Sequence, residues 1–464
     1  MGFLVGGCVR DLLIGLEPKD FDVATDALPE QVKRLFRNCR LVGRRFRLAH
    51  VFFGREIIEV ATFRAASAPA QGEEPLPDAD PEDGEAPELD DPQLEAEALG
   101  SAGDTNGDAP PSLSRAYPEV DTDVLSERMF DETGRILRDN VYGTIDADVW
   151  RRDFTANSLY YNIADFSVWD YCGGVEDVRA RVLKLIGDPE TRFREDPVRM
   201  LRAARFEAKL GFQLDPATAE PIGRLCDLLG GVPPARLFDE TLKLFLGGHG
   251  ERSYEVLRRR GLLAGLLPTV DAYLVRHPGS LVEKLLVQGL RNTDARVQAD
   301  KPVTPTFLFA LLLYGPIAGI IEATPPERWH ELGTILDACD LAARQAQTHI
   351  AIPKRFSLGV REMFALQPRL EHPRGRRALR ILEHPRFRAA YDLLLLRAQY
   401  GLASSEMAQW WTRIQEVSAE ERGQMADSLS GSAPRMDGPS RSGPSSGSGS
   451  RRRRSRRRRP AGPS

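Results

Sequence analysis

The chain has 464 residues, of which 42% are hydrophobic and 28% are charged, and its formal net charge is −4. This length and hydrophobic content exclude a wholly disordered chain and predict about two to four domains. The net charge does not exclude a nucleic-acid-binding protein, because residues 73–108 hold 14 acidic and no basic residues while 451–459 hold eight arginines.

Short alternating elements are predicted in residues 3–64. Apolar strands are predicted at 3–5, around Phe21, at 49–53 and at 56–62, and helices at 9–15 and 29–37. Residues 65–135 are rich in Pro, Gly, Ala, Asp and Glu and lose helix or strand periodicity. They are predicted to form a disordered insertion or a long surface loop.

Periodic structure resumes near Ile136, with strands predicted around 158–163 and 168–171. Helical spacing then dominates from about Asp188 to about Trp411. Residues 428–450 form a Ser/Gly/Pro linker before the basic tail. The chain is therefore predicted to be α+β, with a small mixed β-sheet and helices first and an all-α region after it.

The cysteines and the longest apolar stretch bear on the compartment. The five cysteines are odd in number and form no C-x-x-C pair, which predicts reduced thiols and a cytoplasmic protein. No signal peptide pattern is visible. Residues 303–321 are almost uncharged, but prolines and glycines interrupt them. A buried helical hairpin is therefore favoured there and no membrane span is expected.

Three carboxylates in the first strands are candidate metal ligands. Strand alternation is expected to place Asp20 and Asp22 on one face while Phe21 points to the core. Adjacent carboxylates repel each other, and Mg2+ held with substrate phosphates would neutralise them. A lone D-x-D is more often a solvated pair at a strand end. Glu59 lies in a later apolar strand, where a carboxylate is either paired, metal-bound or at a solvent-facing edge.

Three further motifs are candidates for anion and nucleotide binding. Gly6 and Gly7 end a strand and open a helix, where a backbone can approach a phosphate; Arg10 follows in the first turn, although it can also pair with Asp11. The segment RRDFTAN (151–157) offers guanidinium groups for a triphosphate and polar groups for a ribose hydroxyl, or forms a capped helix start.

The segment EDPVRMLR (195–202) combines a proline suited to a helix start with Asp196, Arg199 and Arg202 at steps of three. On one face, an aspartate acceptor and an arginine donor can read the edge of a base. The competing interpretation is a salt-bridged helix surface.

In this order the motifs resemble those of the class II nucleotidyltransferases, the family of bacterial tRNA CCA-adding enzymes and poly(A) polymerases. The resemblance is carried by GGCVRD (6–11), DFD (20–22), EVATFR (59–64), RRDFT (151–155) and EDPVR (195–199). Asp170, Gly173, Gly174 and Asp177 match its hinge-like motif. It covers 3–64 and 136–210 strongly, and the helical remainder in outline.

The resemblance implies a role for each matched residue. Asp20 and Asp22 are expected to hold two Mg2+ ions, or Mn2+, with Glu59 as the third carboxylate. Gly6, Gly7 and Arg10 are expected to contact the triphosphate, and Arg152, Asp153 and Asn157 the nucleotide and its ribose. Asp196 and Arg199 are expected to bind the adenine edge. Arg202 is expected to contact the base or a phosphate. Asp177 is expected to position the head relative to the neck.

The stretch LVGRRFRLAHV (41–51) resembles the segment that distinguishes poly(A) polymerases from CCA-adding enzymes. The resemblance implies RNA contacts by Arg44 and Arg45. The later segment EHPRFRAAYD (383–392) also resembles the poly(A) polymerase body. Its His384, Arg386 and Arg388 are expected to contact RNA phosphates, and surface charge on a packed helix is the alternative. The arginine tail, including Arg451, Arg452, Arg453 and Arg454, would add salt-dependent phosphate binding, although a non-specific solubility segment is the alternative.

The resemblance divides the chain into five parts: a nucleotidyltransferase head (1–64 and 136–187), the acidic disordered insertion (65–135), a helical neck with the nucleobase-recognition motif (188–265), a helical RNA-binding body (266–427), and a flexible linker with an arginine-rich tail (428–464). The expected reaction is template-independent addition of AMP from ATP to RNA 3′ ends, releasing pyrophosphate. The expected protein is a monomer that promotes RNA decay together with RNA-decay proteins. CCA addition to tRNA and a non-catalytic RNA-binding module are the alternatives.

Overall fold

The computed structural model describes residues 1–43, 47–54, 56–65, 128–130, 136–139 and 142–429. Arg44, Arg45, Arg451, Arg452, Arg453, Arg454 and nearly all of the predicted acidic insertion lie outside the described residues. Of 128–130 and 136–139, it describes the backbone alone.

The strands of the described residues form one large and two small sheets. They are β1 (Gly2–Val5), β2 (Asp22–Thr25), β3 (Cys39–Val42), β4 (Leu48–Phe53), β5 (Glu56–Thr62), β6 (Arg128–Phe130), β7 (Ile136–Asp139), β8 (Leu159–Asn162), β9 (Val168–Asp170), β10 (Val182–Leu183) and β11 (Gln213–Leu214). The large sheet has seven strands in the order β3-β4-β5-β2-β1-β8-β9. In it β2 and β5 are parallel, and the other neighbours are antiparallel.

Helices flank this sheet and then form the rest of the described chain. The first ten are α1 (Gly7–Leu13), α2 (Pro29–Leu35), α3 (Ile145–Arg151), α4 (Gly174–Ala180), α5 (Pro189–Glu195), α6 (Val198–Leu210), α7 (Pro216–Leu225), α8 (Pro234–Phe245), α9 (Gly250–Arg259) and α10 (Leu262–Leu266). The others are α11 (Pro268–Arg276), α12 (Leu281–Gln298), α13 (Pro305–Leu312), α14 (Tyr314–Glu322), α15 (Leu332–Gln347), α16 (Lys354–Glu371), α17 (Arg377–Leu382), α18 (Phe387–Gln399), α19 (Ser405–Glu416) and α20 (Ala419–Ser428). The predicted α+β architecture, a mixed sheet with helices followed by an all-α region, is confirmed.

The sheet is held by aromatic packing on one face. Phe3 on β1 packs against Phe63, Tyr160 and Trp169, with ring centroids 5.0 to 6.2 Å apart. Edge-on and tilted contacts of this kind add to the burial of large apolar surface. The packing fixes β1 beside β8, and thereby brings the turn that follows β1 next to the segment that precedes β8.

The helical region has a continuous apolar core that also includes Cys8 and Val9 of α1. A second cluster surrounds the buried Trp411, whose indole N–H donates to the carbonyl of Leu370 at 2.7 Å. Helical structure extends to Ser428, beyond the predicted end near Trp411, because Ser418 and Glu421 form a capping box that starts α20.

Two local predictions are wrong. Phe21 is 43% exposed and lies before β2, which begins only at Asp22. It does not point to the core, and Asp20 sits in the preceding loop. The apolar stretch 303–321 is a pair of consecutive helices, α13 and α14, bent by 41° rather than folded into a hairpin.

In the part of the chain that the structure describes, no single helix has the length and apolar character needed to cross a membrane. Among these residues, only the consecutive helices α13 and α14, taken together, have that length and apolar character, and they are bent by 41° where they meet. Residues 308–317 of this pair are buried within the protein. The five cysteines are unpaired, as predicted.

Candidate functional site

Asp22 and Glu59 are adjacent on the parallel strands β2 and β5, where they occupy the same register. Neighbouring strands lie about 4.8 Å apart, so these carboxylates share one end of the sheet. Burial, and after it the charge of Glu59, raises the pKa of Asp22; Asp20 adds to the effect and Arg152 opposes it. Both of the other predicted carboxylates therefore act electrostatically on Asp22.

This carboxylate set suits a metal that is also bound by substrate. Glu59 is half exposed, and its Oε1 lies 3.4 Å from Nε2 of His50. Among the described residues, no group of three or more His, Cys, Asp or Glu is placed to hold a metal ion. Mg2+ usually keeps several waters and binds through one or two carboxylates plus phosphates. Asp20 and Asp22 fit that type of site.

The glycine pair forms a tight backbone turn beside these carboxylates. Gly6 has φ +78°, in the left-handed region, and a Cβ there would lie 3.6 Å from the carbonyl oxygen of Asn157 and 3.8 Å from Nη1 of Arg152. The amide of Gly6 donates to the carbonyl of Leu159 at 3.1 Å. As predicted, the pair ends a strand and opens a helix.

Arg10 is 2% exposed, and within the protein it is engaged by two polar side chains. Its Nε and Nη2 donate to Oδ1 of Asp11 at 2.9 and 2.6 Å, and its Nη1 donates to Oδ1 of Asn157. Arg10 therefore orients Asn157. It also pairs with Asp11, which is the alternative that the sequence left open.

Arg152 is oriented by a buried acid and a buried tyrosine. Its Nε donates to the Tyr160 hydroxyl at 2.7 Å and to Oδ2 of Asp148 at 3.2 Å, and the Tyr160 hydroxyl donates to the same carboxylate oxygen at 2.7 Å. Burial disfavours the charge on Arg152, yet Tyr160 and Asp148 outweigh it and raise its pKa. The guanidinium group thus stays charged beside Asp22.

Asp153 is bound from both sides of its carboxylate. Its Oδ2 accepts from Nε and Nη2 of Arg202 at 2.7 and 2.6 Å, and its Oδ1 accepts from the Phe154 amide at 2.8 Å. Asn157 also donates to Oδ1 at 3.4 Å. Although burial opposes it, Arg202 and these hydrogen bonds lower the pKa of Asp153 to about 2.

Asp196 lies outside the helix that carries Arg199 and Arg202. Asp196 lies between α5 and α6, and its two carboxylate oxygens each accept from Arg236 of α8 at 3.1 Å. Arg199 is buried and donates to the carbonyl of Arg192 at 2.7 Å and to Glu195 at 2.9 Å. The predicted step of three fails because the first residue precedes the helix.

Phe206 on α6 is surrounded by guanidinium groups. The Cζ atoms of Arg10, Arg202 and Arg205 lie 5.5, 5.4 and 4.6 Å from its ring centroid. Such contacts favour cations over aromatic faces. Phe206 thereby joins α1 and α6 next to the predicted nucleotide contacts.

The hinge-like motif shapes the start of α4. Asp170 accepts from the amides of Gly174 and Val175, both at 2.9 Å. A Cβ at Gly174 would lie 2.3 Å from the Thr155 carbonyl oxygen, and the Thr155 hydroxyl donates to Asp177 at 2.6 Å. The motif therefore fastens α4 to the segment that carries Asp153 and Asn157.

The described residues of the predicted RNA contacts lie far along the chain, at the start of α18. Arg386 pairs with Glu362 at 3.0 Å and Arg388 with Asp392 at 3.1 Å. Both arginines and Asp392 line a groove of about 660 Å³.

Sequence reasoning missed Asp148, Tyr160 and Arg236. Asp148 lies four residues before Arg152, a helical spacing that suits an acid–base pair. Tyr160 and Arg236 have no such local signal, because their partners come from other elements.

Comparison with known proteins agrees with this arrangement. Three family profiles match: the poly A polymerase head domain over 2–91 and 108–184, the probable RNA and SrmB-binding site of polymerase A over 211–274, and the polymerase A arginine-rich C-terminus over 328–460.

Similar whole proteins are found among poly(A) polymerases. Poly(A) polymerase I of Salmonella typhi is 42% identical over 95% of this chain and 86% of its own, and that of Haemophilus influenzae is 40% identical over 91% and 83%. The CCA-adding enzyme of Bacillus subtilis is 31% identical over 55% and 49%.

Solved structures share the fold. A tRNA-processing enzyme complex has a TM-score of 0.53 at 18% identity, covering 92% of this chain and 95% of its own. A tRNA nucleotidyltransferase bound to a primer tRNA and an incoming ATP analogue has a TM-score of 0.51 at 18% identity, covering 89% and 95%.

Proposed function

Because the chain belongs to the bacterial poly(A) polymerase I family, we propose that it is a polynucleotide adenylyltransferase that adds AMP from ATP to RNA 3′ ends without a template. The observation that carries this proposal is the identity of 40 to 44% to poly(A) polymerase I over most of the chain. The shared end of β2 and β5, with Asp22 beside Glu59, supports it.

The bonds exchanged define what the site must do. The 3′-hydroxyl oxygen of RNA attacks the α-phosphorus of ATP and loses its proton, the bond from that phosphorus to the bridging oxygen breaks, and pyrophosphate leaves. Catalysis of this type depends on positioning and on stabilising charge. No side-chain nucleophile is needed.

Asp20 and Asp22, with Glu59 nearby, would hold Mg2+, or Mn2+ in its place. When bound, the metal lowers the pKa of the attacking hydroxyl and neutralises the leaving pyrophosphate. Burial, and after it the charge of Glu59, raises the pKa of Asp22, and a bound cation would favour the charged carboxylate against both effects, which supports this role.

The chain's own residues then bind and orient the nucleotide. Gly6 and Gly7 let the triphosphate approach the backbone, and the Arg152 guanidinium, held by Tyr160 and Asp148, faces it. Arg10 acts here through Asn157. Asp153 is assigned to the ribose and Arg202 to base or phosphate.

The adenine edge is assigned to Asp196 and Arg199. Arg236 already holds both oxygens of Asp196. A carboxylate oxygen has two acceptor sites, so a base amino group can share this acceptor without displacing Arg236.

The remaining parts of the proposal concern RNA and the cell. Arg44, Arg45, Arg386, Arg388 and the arginine tail are assigned to RNA phosphates, and the match of 328–460 to an arginine-rich C-terminal family supports this. We place the protein in the cytoplasm as a monomer, acting with RNA-decay proteins.

One assay tests the proposal against CCA addition. An A-ended model RNA is offered ATP or CTP separately, and products are resolved by length. Long A tails without use of CTP are expected, whereas incorporation of C on a tRNA that ends before CCA would contradict the proposal. Absence of pyrophosphate release with Mg2+ would instead indicate a non-catalytic RNA-binding protein.

A further inference from the structure

A groove between α12, α13 and α18 lies outside the nucleotide site, and the two share no lining residue. It has a volume of about 660 Å³ and is lined by the C-terminal half of α12, the start of α13 and most of α18. Pockets that hold small ligands usually have about 300 to 1,000 Å³. The groove is therefore large enough for a nucleotide.

The floor of the groove is apolar. Val303, Phe307, Ala389, Leu395 and Leu396 line it. Leu395 is 37% exposed, whereas Leu396 beside it is buried. An aromatic ring and an exposed leucine in one groove form a surface on which an unpaired base can stack, because every base presents an apolar face.

Three arginines surround this floor. Arg296 comes from α12, and Arg386 and Arg388 come from the start of α18. Arg296 donates to the carbonyl of Pro302 at 2.8 Å. Arg386 and its partner Glu362 are 40% and 50% exposed, and Arg388 is 69% exposed whereas its partner Asp392 is 31% exposed. A guanidinium group has five N–H donors, so a phosphate can bind these arginines while their carboxylate partners stay in place.

Asp392 distinguishes the groove from a simple phosphate site. It lines the groove within the field of Arg388 and Arg296, and burial raises its pKa although both arginines oppose this. A carboxylate among cations accepts hydrogen bonds from ribose hydroxyls or base amino groups. The 2′-hydroxyl is the group by which proteins tell RNA from DNA.

We propose that this groove binds one unpaired nucleotide of the RNA chain, with its base on Phe307 and Leu395, its phosphates at Arg296 and Arg388, and its hydroxyl or amino groups at Asp392. The inference rests on the proposed function, because an RNA substrate is what brings such a nucleotide to the protein. The groove gives the enzyme a grip on RNA away from the reacting 3′ end.

Full-length protein and oligoadenylates of increasing length test this proposal. Affinity is measured by fluorescence anisotropy at several salt concentrations, and AMP incorporation is followed on the shortest extendable oligoadenylate. The wild-type affinity is expected to rise in a step at the length that reaches the groove. DNA of the same lengths should lack that step.

Two variants address the groove from different sides. Arg296→Gln with Arg388→Gln removes the phosphate contacts, and Leu395→Glu places a negative charge on the floor. For long RNA, each should weaken binding about tenfold, the size of one lost stacking or charge contact. The arginine pair should also lower the salt dependence by about two charges.

Matched controls keep the number of charges equal. Arg344→Gln with Arg413→Gln removes two exposed arginines elsewhere, and Leu281→Glu changes an exposed leucine at the other end of α12. These variants should bind RNA like the wild type. Cross-linking by ultraviolet light should join long RNA to the peptide that contains Phe307.

Unchanged affinity for long RNA in both groove variants, with cross-links elsewhere, would overturn the proposal and leave the groove to a protein partner. Loss of AMP incorporation on every oligoadenylate in the wild-type protein would instead refute the adenylyltransferase function itself.

Discussion

The carboxylate of Asp153 accepts two hydrogen bonds from Arg202, with Nε and Nη2 both within 2.7 Å of Oδ2. Asp153 precedes the sheet strand β8, and Arg202 lies in the middle of α6. The pair therefore links the sheet to the helix that carries the predicted base-reading residues. Charge-assisted hydrogen bonds are short and strong, and here two nitrogens of one guanidinium group hold a single carboxylate oxygen.

The Asp153–Arg202 pair predicts a defined pH dependence of stability. Asp153 has its pKa lowered to about 2 from an ordinary value of 3.8. A carboxylate whose pKa is lowered in the folded state stabilises the protein at a pH above its ordinary pKa. This contribution is lost as the pH falls toward the lowered pKa. The free energy of unfolding of Asp153→Asn should be lower than that of wild type by about 2 kcal/mol at neutral pH.

Urea unfolding of both proteins between neutral pH and pH 3 measures this effect. The difference should be constant down to about pH 5 and shrink below about pH 4. Asp239→Asn, an exposed carboxylate on α8, serves as the control and should show no such difference. A gap that widens on acidification would contradict the assignment.

The raised pKa of Asp22 predicts an effect of metal on thermal stability, which can be measured without an activity assay. Because its pKa is raised by burial and by Glu59, its charge destabilises the metal-free protein at neutral pH. A carboxyl group whose pKa is raised in the folded state stabilises the protein at a pH below its ordinary pKa. This stabilisation is lost as the pH rises through the raised pKa. Asp22→Asn should therefore melt at a higher temperature than wild type at neutral pH without metal.

Adding MgCl2 should reverse this order. The wild-type protein should gain melting temperature with Mg2+, because binding to the folded state alone stabilises it, and Asp22→Asn should gain much less. Asp22→Ala and Asp20→Ala should lose AMP incorporation while keeping RNA binding. If the metal raised all melting curves equally, or both alanine variants kept turnover, the metal assignment would be wrong.

Tyr160 is expected to position Arg152. In Tyr160→Phe the acceptor for Arg152 Nε and the donor to Asp148 are lost, while the ring that lies 4.9 Å from the guanidinium carbon remains. The ratio kcat/KM for ATP should fall about tenfold, as expected for one lost hydrogen bond to a charged group. Tyr161→Phe, the next residue on β8, points to the opposite face and is the matched control.

A positioning role can be separated from a structural one by combining variants. Arg152→Gln alone should lower kcat/KM, and adding Tyr160→Phe to it should cost little more, because both changes remove the same function. Additive losses would show that Tyr160 acts independently of Arg152.

The local motifs of the site were predictable from the sequence, because each is encoded within a few residues. Gly6 and Gly7 end a strand and open a helix as predicted, and the strand that contains Glu59 was found from its apolar pattern. The register that places Glu59 beside Asp22 was not predictable, since two distant strands meet only in the folded sheet. Ordered motifs of a known family supplied that relationship instead.

The errors have a common physical origin. Strand alternation predicts that Phe21 points to the core, but the strand begins one residue later and the side chain is exposed. Residue spacing predicts Asp196 on a helix face, but α6 begins after Pro197 and Arg236 from α8 binds the carboxylate. Spacing rules apply only inside an element, and tertiary partners decide what happens at its ends.

Gly174 predicts a steric effect at the start of α4. A Cβ there would lie 2.3 Å from the Thr155 carbonyl oxygen. Because that oxygen belongs to the backbone, no side-chain rotation can relieve the clash. Gly174→Ala should lower the free energy of unfolding by about 1–3 kcal/mol, the usual cost of overpacking. Gly223→Ala on α7 is the matched control, because its nearest neighbour is the Arg260 carbonyl oxygen at 3.7 Å.

In the Gly223 control, alanine should leave stability unchanged or raise it, since alanine favours helices over glycine. Thermal unfolding of both variants measures the contrast. Equal stability of Gly174→Ala and wild type would show that α4 moves away from Thr155 at little cost. In that case the hinge-like motif would not depend on close packing.

The acidic segment 73–108 predicts an effect on RNA affinity that the sequence alone supports. Its 14 acidic residues lie in the same chain as the eight arginines of 451–459. We expect these anions to compete with RNA for basic groups. Deleting 73–108 should raise RNA affinity at low salt, and the gain should shrink as salt screens the charges. Replacing the acids by Asn and Gln at equal length should give the same gain, because charge and not chain length causes it. Unchanged RNA affinity at low salt in both proteins would refute the competition.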